Sequence, residues 1–333
     1  MKIKVGINGM GRIGRMIVRS IIESKNKNIE IRHINNRANS EVCANLLKYD
    51  SIHGKFNAKI EFKKNYLSIN NKKIGFSQET SLKNIKWKNS GVDIVFECTG
   101  KFNSKEDLIK HVKNGAKKVI VSAPCRNADK TIVYGVNEKK ITESDKIISA
   151  ASCTTNCLAL VVNILNDNFE IVNGFMTTIH AFTTDQRILD NSHKDPRRAR
   201  SASQSIIPTS TGASKTIGEI IPSLKGKLDG IAMRVPTPNV SLVEFIFNSK
   251  KKLSIDKINR SFKNFKNNRK ILGITNEKLV STDFNHNPAS AIIDESLTSV
   301  VGKNMGKISA WYDNEWGFSN RMCDLAEFIN KKF

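Results

Sequence analysis

The residues of this 333-residue chain best suited to chemistry gather around Cys153. It stands in Ala151-Ser152-Cys153-Thr154-Thr155-Asn156-Cys157, between a short apolar strand signal and an apolar helix signal. A cysteine at a helix N-terminus sits at the positive end of the helix dipole, which favours the thiolate and makes it a nucleophile. Ser152, Thr154 and Thr155 add hydroxyl and backbone donors for an oxyanion or a phosphate. A buried core cysteine is the plainer alternative. The balance shifts at Thr177-Thr178-Ile179-His180, where a strongly β-forming run ends on a histidine. Brought together, a Cys–His pair yields a thiolate and an imidazolium able to donate a proton. The other five histidines, at 33, 53, 111, 193 and 286, have ordinary surface or core explanations.

A second chemical signal opens the chain. Gly9-Met10-Gly11-Arg12-Ile13-Gly14 is G-x-G-x-x-G, directly after an apolar strand and at the start of a helical pattern. Such glycines let the backbone turn tightly and approach a pyrophosphate, which the free N–H groups of the helix then bind. The acidic residue expected about 20 positions on, for a ribose 2′-hydroxyl, is absent. The second strand ends Asn35-Asn36-Arg37 instead. Asn36 removes a charge that would repel a 2′-phosphate, and Arg37 is able to pair with one, so NADP as well as NAD is expected. A third group lies in the polar stretch 183–205, with Arg187, Arg197, Arg198 and Arg200, followed by Ser210-Thr211-Gly212 and Met233-Arg234-Val235. Arginine forks, threonine hydroxyls and glycine N–H groups grip phosphate well. Each arginine alone reads as a solvated side chain; beside a thiol and a dinucleotide turn, together they point to a phosphorylated substrate.

The elements that must hold these residues are legible in outline. Ile13, Ile17 and Ile21 fall at helical spacing, with Arg12, Arg15 and Arg19 on other faces. Residues 29–35, 93–98, 118–122, 131–136 and 146–150 read as short strands, with a helix over 104–114. Alternating strands and helices predict a mainly parallel sheet covered on both faces. After residue 152 the pattern changes to a helix over 158–165 and longer strands at 174–182, 231–234, 240–248 and 307–312, ending in an amphipathic helix at 318–331. The expected fold class is therefore α/β, with an N-terminal Rossmann-type doubly wound domain and a C-terminal α+β catalytic domain whose sheet is mainly antiparallel. Domain boundaries are expected at 1–151 and 152–316, with the helix 317–333 packing back onto the first domain.

Composition removes several classes. At 39% hydrophobic and 26% charged the chain is globular rather than disordered. No apolar run reaches the roughly 18–20 residues that span a bilayer, and no signal-peptide h-region is visible, so a cytoplasmic protein without membrane partners is expected. Of the six cysteines, only Cys153 and Cys157 are close, and no second pair completes a zinc site, so no metal is expected. The net charge of +23 would suit nucleic acid, but the lysines are spread evenly with no basic arm. A field that attracts anionic metabolites is the simpler expectation.

With these residues in view, the chain closely resembles the phosphorylating glyceraldehyde-3-phosphate dehydrogenase family along essentially its whole length. The carrying segments are the glycine turn with its flanks, LLKYDSIHGKF (46–56), ASCTTNC (151–157), RARSASQSIIPTSTGASK (198–215), RVPTPNVS (234–241) and WYDNEWGFSN (311–320). The resemblance implies that Cys153 attacks the aldehyde of glyceraldehyde 3-phosphate while His180 acts as acid and base. It further implies that Ser152, Thr154, Thr211 and Gly212 bind the attacking inorganic phosphate. Thr183 and Arg234 would hold the substrate phosphate, with Arg198 between. For the cofactor, NAD or NADP, it implies Arg12 and Ile13 at the pyrophosphate, alongside Gly9, Gly11 and Gly14 of the turn already read from the motif. Ser122 would contact the nicotinamide half and Asn314 the carboxamide. A homotetramer working in glycolysis or gluconeogenesis follows from the same resemblance.

Two departures bear on the cofactor. NAD-using members usually carry Asp where this chain has Asn36, and Leu-Pro where it has Asn191-Ser192 in the loop that reaches a neighbouring subunit's cofactor. Asn and Ser can hydrogen-bond a 2′-phosphate that Leu and Pro would crowd, so the pattern is similar to the NADP-accepting branch. An erythrose-4-phosphate dehydrogenase is the nearest alternative, although Ser210-Thr211-Gly212-Ala213 follows the glyceraldehyde-3-phosphate form. A basic nucleic-acid-binding protein that has kept an enzyme fold is the alternative from another class; intact Cys153, His180 and arginines argue against it.

Overall fold

The computed structural model describes residues 2–265 and 270–333, and it divides into two compact units, Met1–Ser152 with Ser319–Phe333, and Cys153–Phe318. Unit 1 begins with β1 (Ile3–Asn8), α1 (Arg12–Glu23), β2 (Ile29–Asn35) and α2 (Ser40–Lys48). A two-stranded ribbon, β3 (Tyr49–Asp50) with β4 (Gly54–Lys55), precedes β5 (Ile60–Lys63), β6 (Tyr66–Ile69) and β7 (Lys72–Ser77). Then follow β8 (Ile94–Glu97), α3 (Lys105–Lys113), β9 (Lys118–Val121), β10 (Lys130–Thr131) and β11 (Ile147–Ser149). The sheet order is β10-β11-β9-β8-β1-β2-β7-β6-β5, parallel from β10 to β7 and antiparallel beyond. Buried on both faces, the central strands are continuous apolar runs, as in Ile94-Val95-Phe96 and Val119-Ile120-Val121.

Local chemistry explains most of these boundaries. The Ser104 side chain accepts from the Asp107 N–H at the start of α3, with Glu106 and Asp107 in its first turn and Lys110 and Lys113 in its last. Gly9 has φ +97°, where a Cβ would meet the Thr99 backbone at 2.8 Å; at Gly14 a Cβ would lie 2.0 Å from the Gly9 carbonyl. Those two glycines are therefore required by the turn itself. At Gly11 a Cβ would meet nothing within 4 Å.

One expectation needs correction, and two features were not anticipated. The strand read over 131–136 is only the two-residue β10, because Gly135 adopts φ +88° and Asn137 closes a turn on Val133 through both its N–H and its Oδ1. Arg15 and Arg19, read only as lying on other faces than the isoleucines, are both buried. Arg19 is fully buried, its guanidinium donating to the Leu47 carbonyl at 3.0 and 2.8 Å and to the Gly54 carbonyl at 3.0 Å. Arg15 donates to the Met10 carbonyl at 2.9 Å. The antiparallel β5–β7 was not read from the sequence, although Asn70-Asn71, both at positive φ, is a strong two-residue hairpin signal.

Unit 2 begins with α4 (Cys153–Phe169) and β12 (Ile171–Ala181), followed by β13 (Ile207–Ser210), α5 (Ala213–Ile220), β14 (Leu228–Val235) and β15 (Ser241–Ser249). It continues with α6 (Ile255–Lys263), β16 (Leu272–Thr275), β17 (Ala291–Asp294), β18 (Ser299–Val301) and β19 (Met305–Tyr312). Its eight-stranded sheet runs β13-β14-β12-β15-β19-β17-β16, with β18 on β19. Only β12 with β14 and β16 with β17 are parallel. The last helix, α7 (Trp316–Lys332), starts in unit 2 and continues into unit 1, where Asn320 Oδ1 accepts from Ser20 Oγ at 2.9 Å and Glu327 accepts from Asn26 at 2.6 Å.

We predict that Gly14→Ala destabilises unit 1 by about 1–3 kcal/mol, the scale of overpacking, whereas Gly11→Ala melts like the unsubstituted chain. Thermal denaturation of the two variants side by side checks this.

Candidate active site and dinucleotide cleft

The turn from β11 into α4 carries Cys153, the candidate nucleophile. Ala151, a non-glycine residue at φ +58°, ends the strand segment, and Cys153 is the first residue of α4. His180 is the penultimate residue of β12, and its Nε2 lies 3.5 Å from Cys153 Sγ. His180 Nδ1 lies 2.6 Å from the Ala181 carbonyl oxygen, and Arg234 Nη1 lies 2.8 Å from Nδ1 and 3.1 Å from that same oxygen. Nδ1 and a guanidinium N–H cannot both present protons to each other. The consistent arrangement has the Nδ1 proton and the Arg234 proton both directed at the Ala181 oxygen, which leaves the Nε2 lone pair facing the thiol.

Burial pushes the Cys153 thiol up from its ordinary 9.0, against the opposing pull of the Arg234 charge and the Thr154 N–H and hydroxyl. Burial, helped by the Arg234 charge, drives His180 down to about 3. Both shifts run against the expected thiolate–imidazolium pair: desolvation, the largest influence on each group, favours neutral thiol and neutral imidazole. Neutral Nε2 is a competent acceptor for the thiol proton when a carbonyl carbon presents itself.

Tyr312 underpins this pair, and sequence reasoning gave it no role despite its place in WYDNEWG. Its hydroxyl lies 2.9 Å from both Thr154 Oγ1 and Thr178 Oγ1, and its ring meets the His180 ring edge-on, centroids 6.0 Å apart. Cys157 is fully buried, its thiol pushed well up by burial, which suits a core residue.

The residues expected to grip anions divide into two groups. Arg234 stands beside His180 as described. Arg198 Nε donates to Thr209 Oγ1 at 2.9 Å, its Nη1 is paired with Asp185, and its Nη2 reaches the Ser210 carbonyl at 3.3 Å. Arg198 is thus held beside Ser210-Thr211-Gly212 by a carboxylate that was not singled out from sequence. Thr211 Oγ1 accepts from the Ala213 N–H at 3.2 Å, and Gly212 is the N-cap of α5 without a side-chain cap, which leaves N–H groups of that helix start for an anion. The Thr183 N–H is taken by Gln186 Oε1 at 3.2 Å. Ser192 is tied to Asn191 Oδ1, and its carbonyl accepts from Arg187.

Unit 1 holds a cleft of about 350 Å³ at the C-terminal ends of β1, β2 and β8, where doubly wound sheets bind ligands. Gly9, Gly11, Asn36, Arg37, Thr99 and Lys101 are among its lining residues. The open space over Gly11 is what close approach of a pyrophosphate demands. Arg12 does not present its guanidinium there, for it is paired with Asp50, with Nη2 3.0 Å from Oδ1. Burial would raise the Asp50 carboxyl, but the Arg12 pairing and the His53 and Ile52 N–H groups hold it well below its ordinary range. Arg12 and Ile13 open the first turn of α1, directly after the glycine turn. Asn36 Oδ1 accepts from the Met10 N–H at 3.1 Å, tying the second strand to the glycine turn. Arg37 makes no side-chain hydrogen bond with the described residues and lines the cleft. Ser122 donates to the Glu97 carbonyl at 3.0 Å, and Asn314, in unit 2, accepts from Ser241 Oγ at 2.8 Å. The wall of the cleft is stiffened by a buried chain in which Asn35 donates to Asn8, and Asn8, His111 and Thr99 donate to the Glu97 carboxylate. None of that chain was anticipated.

Comparison with known proteins bears on the same two units. The family model described as glyceraldehyde 3-phosphate dehydrogenase, NAD binding domain, matches residues 3–105, and the one described as the C-terminal domain matches residues 152–314. The glyceraldehyde-3-phosphate dehydrogenase of Geobacillus stearothermophilus is 48% identical over 335 residues, covering 100% of this chain and 99% of that protein. That of Cereibacter sphaeroides is 47% identical, covering 98% of each. Glyceraldehyde-3-phosphate dehydrogenase 2 of Staphylococcus aureus is 47% identical, covering 99% of this chain and 96% of that protein.

Because folded His180 protonates only near pH 3 while the unfolded chain binds that proton near 6.5, the unfolded state holds more protons between those values, so His180 makes stability fall as pH drops through that window. We expect His180→Asn to flatten the dependence of Tm on pH between about 6.5 and 3, and Arg234→Met to move alkylation of Cys153 by iodoacetamide to higher pH.

Proposed function

We propose, since this chain belongs to the glyceraldehyde-3-phosphate dehydrogenase family, that it catalyses the reversible phosphorylating oxidation of glyceraldehyde 3-phosphate to 1,3-bisphosphoglycerate through a thioester on Cys153. As a member of that family it is an oxidoreductase with a Rossmann-type NAD-binding domain. The observation that carries the finer reading is the 3.5 Å approach of Cys153 Sγ to the unprotonated nitrogen of His180.

In the proposed sequence, Sγ adds to the aldehyde carbon as its proton passes to Nε2, which hands it on to the carbonyl oxygen, giving a hemithioacetal and a neutral His180. Arg234 and Thr183 hold the substrate phosphate. His180 takes the hemithioacetal hydroxyl proton as the carbon–hydrogen bond breaks, leaving the thioester. The bound nicotinamide dinucleotide supplies the hydride acceptor. Ser152, Thr154, Thr211, Gly212 and Arg198 then hold inorganic phosphate, whose oxygen attacks the acyl carbon and expels the Cys153 thiolate. Tyr312 keeps Thr154 and His180 in register throughout.

For the cofactor we infer that NADP is accepted at least comparably to NAD. Asn36 places no carboxylate at the end of β2, and the unpaired Arg37 guanidinium beside Lys101 lines the cleft. Ser192 and Asn191 of the polar loop would add hydrogen bonds to a 2′-phosphate from a neighbouring copy. A homotetramer fits unit 2, whose sheet leaves Phe175 and its cross-strand partner Ile246 on an exposed face with Val172 and Met305.

Reduction of NAD and NADP followed at 340 nm, with glyceraldehyde 3-phosphate or erythrose 4-phosphate and with or without inorganic phosphate, tests the proposal. We expect steady turnover only with phosphate, faster with the triose, and complete loss in Cys153→Ser; turnover surviving that substitution overturns the mechanism. Asn36→Asp should cost NADP about a hundredfold in kcat/KM, since juxtaposed like charges cost several kcal/mol. An equally large preference for NAD in the unsubstituted chain would defeat the cofactor reading.

A further inference from the structure

The mechanism proposed above makes no use of the chain's net charge of +23, which one place in unit 1 gathers around an apolar surface. A groove of about 630 Å³ lies at the N-terminal ends of β1 and β2, between the end of α1 and the β6–β7 turn. It shares no lining residue with the dinucleotide cleft, which lies at the opposite ends of the same strands. Small-molecule sites span roughly 300–1,000 Å³, so the groove is large enough for one. Its apolar lining is six isoleucines from α1, β2, β6 and β7, of which Ile22 is the least buried.

Around the isoleucines stand Lys2, Lys25, Lys27, Lys72 and Lys73, all exposed, against a single carboxylate, Glu30. That carboxylate is paired with Arg32 at 2.9 Å. Among the described residues none of the five ammonium groups has a carboxylate partner; Lys73 instead lies over the Tyr66 ring, 4.4 Å from its centroid. No arginine lines the groove, so the planar fork that suits phosphate is missing, whereas dispersed ammonium groups suit a small anionic head.

Lys25 is the informative member. α1 ends in a Schellman turn, with the Asn26 N–H on the Ile21 carbonyl and the Lys25 N–H on the Ile22 carbonyl, both at 3.1 Å. The residue that closes such a turn is left-handed and is usually glycine. Lys25 occupies that position at φ +51°. A cation near a helix C-terminus is favourable, yet that gain needs no lysine at the strained residue itself. Strained residues of this kind gather at ligand clamps. The facing lip is the two-residue turn Asn70-Asn71, at φ +49° and +63°.

We propose that this groove binds a single-chain anionic amphiphile, a medium-chain fatty carboxylate, with its hydrocarbon on the isoleucines and its head among the lysines. Charge complementarity selects the head, and the stems of the lysines extend the apolar surface that the chain covers. Lys25 is kept at a position that favours glycine because its ammonium group meets that head.

The test is isothermal titration of the full chain with monomeric octanoate, decanoate and dodecanoate, with decanol as the uncharged counterpart. Each titration is repeated at saturating NAD. We expect one-to-one binding that tightens about two- to fourfold per added methylene, the scale of burying it, and that NAD leaves unchanged. Decanol should bind about tenfold more weakly than decanoate. Lys25→Gly should melt about 2–4 °C higher, as relief of local strain predicts, yet bind decanoate about threefold more weakly. The double variant Lys25→Glu, Lys72→Glu should lose about tenfold, whereas Lys113→Glu, on α3 and outside the groove, should lose nothing. Affinity that ignores chain length, displacement by NAD, or an equal loss in Lys113→Glu would overturn the site. Attachment to phosphatidylglycerol vesicles without binding of free decanoate would overturn it too, in favour of a lipid surface.

Discussion

One carbonyl oxygen, that of Ala181, sets the chemistry of unit 2. It takes the proton of His180 Nδ1 and a proton of Arg234. By holding the first it fixes the imidazole tautomer, and by holding the second it brings a permanent positive charge against the ring. The neutral ring then turns a basic nitrogen to the thiol. Desolvation in such a site works against separated charge. Burying a thiolate and an imidazolium together would cost desolvation that the pair's attraction must repay. Two neutral partners avoid that cost and leave proton movement to be driven by bond formation at sulfur.

The surrounding structure reads as support for that oxygen. β12 is paired on both sides along most of its length, in parallel by β14 and antiparallel by β15. The parallel register sets His180 opposite Arg234, so the base and its cationic neighbour are adjacent by strand pairing rather than by side-chain reach. The same sheet brings Tyr312 beneath Thr154 and Thr178. A rigid central strand is the appropriate carrier for the proposed base and its neighbour Arg234, whereas the other residues proposed to grip an anion sit on a loop, as Arg198 does, or at a helix start, as Thr211 and Gly212 do.

Much of this was legible in the residues themselves. The glycine turn, the Cys153 segment and the end of β12 announced themselves because each breaks a regular pattern at a residue with unusual chemistry. The parallel order of unit 1 followed from the alternation of short apolar runs and helical spacing. What escaped were partners that are unremarkable in type. Asp185, Asp50 and Glu97 are carboxylates in a strongly basic chain, and only the fold reveals that they are committed to Arg198, Arg12 and His111. The resting charge of the Cys–His pair escaped for another reason. A helix terminus is visible in a sequence, but the depth of burial that outweighs it is not. β5–β7 was passed over because Lys and Asn interrupt its short alternations, and an edge hairpin need bury only one face.

Arg19 has a consequence for how such a chain can vary. Basic positions in a protein so rich in lysine look interchangeable, and on the surface most of them are. Arg19 is different, because its planar fork serves the carbonyls of Leu47 and Gly54 at once, out of contact with water. A lysine there would bring a single ammonium on a thinner stem, unable to span both oxygens and costlier to strip of its hydration. The drift toward lysine that colours the whole composition therefore meets a barrier at position 19, set by the shape of the cation and not by its charge.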